Sequence, residues 1–128
     1  MANEITINIS GTLSNSPLQR TFVPAAAQIT QVTKRRAGSA QSLTSAWEAV
    51  ALGDLTAGYV FLTNLDDTFS VDFGPLEAGS GGDGVLCGTL RPSDPPALIP
   101  VPSGVTLMVR ASGGSGATAT VDIEAWSQ

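Results

Sequence analysis

Strict alternation of apolar and polar residues leaves a chain little choice but an extended strand, because only a period of two puts every apolar side chain on one face. Residues 117–126 have this pattern. Ala117, Ala119, Val121, Ile123 and Ala125 fall on one face, and Thr118, Thr120, Asp122, Glu124 and Trp126 on the other. The opposite end of the chain repeats it, with Ile5, Ile7 and Ile9 set against Thr6, Asn8 and Ser10. Both segments predict half-buried strands, each with one face in a core and the other in solvent or against a partner.

Between them, strands are expected over residues 28–36, 39–45, 59–65, 68–73, 84–90, 97–101 and 105–111, separated by short turn-rich stretches. The 59–65 run is apolar on both faces, as a central strand requires: Tyr59, Phe61 and Leu65 oppose Val60 and Leu62. Asn64-Leu65-Asp66-Asp67 then supplies a turn into Phe69, Val71 and Phe73, which predicts a β-hairpin. Ser45 followed by Glu48 has the form of a capping box, with Gly53 as a stop, so one helical turn is expected over residues 45–52. Pro92, Pro95, Pro96, Pro100 and Pro102 would interrupt central pairing and belong to a loop and an edge strand.

A chain of 128 residues supports one core, so residues 1–128 are expected to form a single domain. About eight or nine short strands with no long helix predict an all-β antiparallel sandwich, a jelly roll first and an immunoglobulin-like sandwich second.

Composition excludes much chemistry. Histidine is absent, which removes His-based triads, His metal sites and imidazole acid–base catalysis. Cys87 is the only cysteine, so no internal disulfide forms; its neighbours Val85, Leu86 and Leu90 predict a buried, inert thiol. No GxSxG elbow occurs, and a serine nucleophile would have to rely on Lys34. The net charge of −5 opposes direct nucleic-acid binding and binding to acidic membranes. The first residues lack the basic and apolar regions of a secretory signal, and no apolar run approaches the ~18 residues of a membrane span.

Two motifs have bland readings that outweigh the functional ones. Gly79-Ser80-Gly81-Gly82-Asp83-Gly84 matches GxGxxG, but a strand rather than a helix is expected after it, so it reads as an inter-strand loop. Asp66 and Asp67, with Asp72 nearby, lack calcium-loop spacing and read as an Asx-type turn. No metal or cofactor is expected. The candidate interface residues are the basic run Lys34-Arg35-Arg36, the two tryptophans Trp47 and Trp126, and Phe22, within a 16–27 segment able to reach a neighbouring subunit.

Three stretches resemble a known family. Ala51-Leu52-Gly53-Asp54-Leu55 leads into Gly58-Tyr59-Val60-Phe61-Leu62-Thr63-Asn64-Leu65-Asp66; Val71-Asp72-Phe73-Gly74 follows, and then Leu90-Arg91-Pro92 before Ala97-Leu98-Ile99-Pro100. Together they make the middle of the chain similar to small virion proteins of tailed bacteriophages, of the β-sandwich capsid cement or decoration type. The resemblance implies a non-enzymatic subunit, made in the host cytoplasm, that binds the outer surface of the head, bridges capsomers of the major capsid protein and associates with itself as a dimer or trimer. It carries over no catalytic residue. The alternative is a tail, fibre or baseplate sandwich that recognises a host glycan through Trp47, Trp126 or Tyr59; a hydrolase ranks last.

Overall fold

The computed structural model describes residues 3–7, 11–15, 18–22, 27–31, 36–52 and 58–126, with side-chain placements for 38–52 and 58–126. All regular structure among them is β. Eight strands build the body: β5 (Arg36–Leu43), β6 (Glu48–Ala49), β7 (Tyr59–Asn64), β8 (Ser70–Pro75), β9 (Gly88–Leu90), β10 (Ala97–Pro100), β11 (Leu107–Ser112) and β12 (Ala119–Trp126). Four more, β1 (Asn3–Ile7), β2 (Gly11–Asn15), β3 (Leu18–Phe22) and β4 (Ala27–Gln31), precede them.

The body is a sandwich of two antiparallel four-stranded sheets, ordered β10-β7-β12-β5 and β6-β11-β8-β9. Its pairings β5·β12, β6·β11, β7·β10 and β8·β9 are nested, like the rungs of one long hairpin. Two further ladders, β7·β12 and β8·β11, complete the sheets, and this is jelly-roll strand order. The eight strands of the body fit the number expected from the turn spacing; β1 to β4 add two separate two-stranded ladders, β1·β4 and β2·β3.

Alternation decides which residues fill the space between the sheets. On β12, Ala119, Val121, Ile123 and Ala125 are buried, and on β7 Val60 and Leu62 face the same way. Leu43 of β5 completes this side, while Val71 of β8 and Val109 of β11 come from the opposite sheet. Each of these Val, Leu and Ile side chains contributes about 2 kcal/mol by leaving water. The proline-rich strand β10 lies at a sheet edge, as its composition requires.

Two expectations are corrected. The turn after β7 does not make a hairpin, because β7 and β8 belong to different sheets. The Leu65 N–H donates to the Thr120 carbonyl (2.9 Å), continuing the β7·β12 ladder, and the chain then arches across the core. Asn64, buried beneath the arch, donates from Nδ2 to the carbonyls of Phe69 (2.9 Å) and Leu90 (3.1 Å) and accepts the Asp66 N–H at Oδ1 (2.9 Å). Nor do residues 45–52 form a helical turn: among those described, a bend leads into β6. Glu48 Oε1 accepts from the Thr44 N–H (2.9 Å) and Oγ1 (3.0 Å), so the carboxylate closes a bend between strands instead of capping a helix.

Candidate interaction surfaces

Outward-facing residues of the first sheet form one surface. The alternation that buries Val60 and Leu62 turns Tyr59, Phe61 and Thr63 outward, and on β12 it turns out Asp122, Glu124 and Trp126. Trp126 pairs with Tyr59 in register and Glu124 with Phe61, so Trp126 and Phe61 are diagonal neighbours. Their rings meet edge to face at 5.1 Å and 85°, worth about 1 kcal/mol beyond area burial. Phe61, Thr63, Pro96, Asp122, Glu124 and Trp126 surround a shallow hollow of about 170 Å³. Trp126 therefore lies on the outer face at the end of an interior strand, half-buried, with an aromatic partner beside it.

Across the second sheet, side chains lock together. Asp72 is 3% exposed, and its Oδ2 pairs with Arg110 Nε at 3.1 Å while its Oδ1 accepts the Thr89 hydroxyl at 2.7 Å. Register makes this inevitable: β8 lies between β11 and β9, with Asp72 opposite both Arg110 and Thr89. The Arg110 guanidinium also lies 4.6 Å from the Trp47 ring centroid, so one cation serves a carboxylate and an aromatic face. Trp47 in turn covers Gly84, where an added Cβ would come within 2.7 Å of its ring.

The Asx-type turn is present. Asp66 Oδ1 accepts the N–H groups of Thr68 (2.8 Å) and Phe69 (2.7 Å), and these donors hold its carboxyl below the ordinary value, Phe69 the more strongly. Asp94 does similar work, accepting the Arg91 N–H at 2.7 Å. Among the described residues no three His, Cys, Asp or Glu side chains gather to hold a metal ion.

A third surface is apolar and lies at one end of the body. Phe73, Pro75, Cys87, Ile99, Val101 and Val105 are among the residues lining a hollow of about 340 Å³ between the sheets. Leu76, Val85 and Leu86 lie beside it in sequence and are 43%, 46% and 56% exposed, an unusual display of large apolar side chains. Here the expectation for Cys87 is corrected: the thiol is exposed. The Val85 and Cys87 N–H groups bond the carbonyls of Pro75 and Phe73, so residues 85–87 run along β8 at its rim instead of entering the core.

The anticipated interface residues are not one cluster. Trp126 and Trp47 lie on different sheets' surroundings, Arg36 begins β5 opposite Trp126, and Phe22 ends β3 opposite Gly11. Lys34 and Arg35 lie outside the described residues. Sequence reading missed Arg110, whose partner Asp72 is distant in the chain, and the end hollow, which no local pattern signals; Phe61 was recoverable from its parity with Tyr59. No protein-family model, curated protein or solved structure matches this chain.

Proposed function

We propose that the chain is a structural virion protein, a capsid cement or decoration subunit that binds the outer surface of a tailed-phage head and bridges capsomers of the major capsid protein. The observation that carries this reading is the outer face of the first sheet: Phe61 and Trp126 packed edge to face, with threonine and carboxylates beside them. Pre-oriented aromatics within a polar surround suit a protein interface, and repetition over a symmetric shell lets modest contacts sum through avidity. The sequence resemblance covers Ala51–Leu55, Gly58–Asp66, Val71–Gly74, Leu90–Pro92 and Ala97–Pro100, and of these the stretches on β7 and β10 belong to the sheet that carries this face. The carboxylates of Glu48, Asp66, Asp72 and Asp94 hold turns and strands, a structural use that supports a binding role over catalysis.

Antibody labelling of intact virions, with separated heads and tails as controls, tests the proposal. Label over the head is expected, together with heads that lose heat resistance when the protein is stripped and regain it with wild-type protein but not with Trp126→Ala. Absence of head label and unchanged head stability would refute it. The hollow beside Trp126 also favours a second reading, glycan recognition by a tail component, since aromatic faces and carboxylates are both sugar-binding groups. Tail-confined label with a positive glycan screen would select it.

A further inference from the structure

Arg110 keeps donors that its structural contacts do not use. Its Nε donates to Asp72 Oδ2 at 3.1 Å, and its Cζ lies 4.6 Å from the Trp47 ring centroid. A guanidinium has five N–H donors, and this arrangement occupies one of them. Among the described residues no acceptor meets Nη1 or Nη2. Asp72 is itself fixed, 3% exposed and bound to the Thr89 hydroxyl, so it holds the planar fork of Arg110 in one orientation from below while Trp47 packs on its face.

The same arginine lines a hollow of about 370 Å³ at the end of β11. Ser45, Ser112 and Ser115 bring hydroxyls to this hollow, and none of the three bonds to a described protein group. Its Gly113-Gly114 wall is anchored: a Cβ at Gly113 would lie 2.7 Å from the Phe69 ring, and the Ala117 N–H bonds the Gly114 carbonyl at 3.2 Å. Among the described residues that line the hollow there is no carboxylate and no large apolar side chain.

This chemistry selects a ligand class. The paired N–H groups of a fixed guanidinium edge match the two oxygens of a carboxylate. Phosphate could accept from the same edge, but its further negative charge is opposed by Asp72 beside the guanidinium and by the −5 charge of the chain. Three unengaged serine hydroxyls call for a ligand with hydroxyls of its own, which a sugar ring supplies and the methylene groups of an acidic peptide side chain do not. The volume is at the small end of ligand pockets and suits one small ligand.

We infer that Arg110 and its serine-lined hollow bind a hexuronate, a sugar unit carrying a carboxylate, with the carboxylate on Nη1 and Nη2 and the ring hydroxyls on Ser45, Ser112 and Ser115. The site belongs to a different sheet from Phe61 and Trp126, and the inference does not rest on the capsid reading.

NMR titration of the isotope-labelled full-length protein with methyl glucuronide tests it. Saturable shifts are expected at residues 45 and 110–115 and at the Arg110 Nε–H. Methyl glucoside, which lacks the carboxylate, should bind at least ~10-fold more weakly, the loss that follows from removing a charged hydrogen-bond acceptor. Ser115→Asp, in an exposed turn, places a carboxylate at the rim and should weaken glucuronide binding at least ~10-fold while signals elsewhere stay in place. Arg110→Lys should weaken it similarly; because that change also disturbs Asp72, the Ser115→Asp result decides. No saturable shift, shifts centred on Phe61 and Trp126, glucoside binding as tight as glucuronide binding, or binding undiminished in Ser115→Asp would each overturn the inference. So would equal or tighter binding of inorganic phosphate, or of acetylglutamate amide as a stand-in for a protein carboxylate. Head labelling and glucuronide binding are separate measurements, so either reading can fall without the other.

Discussion

Replacing Asn64 with leucine keeps the side chain's size but removes all three of its hydrogen bonds. The carbonyls of Phe69 and Leu90 lose their donor and the Asp66 N–H its acceptor, at a residue only 7% exposed. At about 1 kcal/mol for each bond, the loss is about 3 kcal/mol, and more if the Leu90 carbonyl finds no water. For a domain of this size that is a fall in Tm of about 12 °C. Asn64→Asp should be worse at neutral pH, because a carboxylate oxygen then faces two carbonyl oxygens. That repulsion raises the folded-state pKa of the new carboxyl above its unfolded value. The penalty is therefore full above the folded pKa, fades as the pH falls from there towards the unfolded value, about 4, and has gone below it, where the protonated group can donate once. Urea unfolding of wild type and both variants at pH 7 and pH 3.5 measures this. A loss under about 1 kcal/mol for Asn64→Leu, or a deficit of Asn64→Asp that does not shrink in acid, would refute the assignment of the arch to this side chain.

Two further outcomes are expected. A Cβ at Gly74 would lie 1.7 Å from the Val85 carbonyl oxygen, so Gly74→Ala must push residues 84–87 off β8; a loss of about 3 kcal/mol in thermal unfolding is expected, against about 1 kcal/mol for Gly79→Ala, which has φ +80° but open space around it. Equal losses would show that the close approach does not hold. Asp66, with its pKa depressed below the ordinary 3.8 by the Phe69 and Thr68 N–H groups, contributes stability that is present above the unfolded pKa and lost as the pH falls through the lower folded value. The stability gap between wild type and Asp66→Ala should accordingly be constant above about pH 5 and close in acid; a gap that widens in acid would contradict this.

What the sequence made legible was local. Period two identified the inward face of β12 and the outward position of Trp126, the prolines marked β10 as an edge, and Asp66 announced its turn. Partnership across the fold was not legible. Asn64-Leu65-Asp66-Asp67 is equally good turn chemistry for a hairpin and for an arch, and only the Thr120 carbonyl, far along the chain, selects the arch. Glu48 has the spacing of a helix cap, yet Thr44 offers it a bend and β11 offers the following residues a ladder, so tertiary pairing overrides a weak local signal. Cys87 follows Val85 and Leu86, which are themselves exposed, a circumstance composition cannot disclose. The Trp47, Arg110, Asp72 and Thr89 row exists because three strands lie side by side in register, and no segment contains it.

Topology also imposes an order on synthesis. In the first sheet no ladder joins strands that follow one another in the chain: β7 waits for β10 and β12, and β5 waits for β12 alone. Such non-local closure places folding in the slow, millisecond-to-second range of β proteins. β12, which follows the other three strands of this sheet in the chain, is the one that bridges β7 and β5, so the sheet is complete only after residue 126 is translated. Until then β5 offers an unpaired edge to other nascent chains, a hazard softened by its polar composition, Arg36, Ser39, Gln41 and Ser42 among its eight residues.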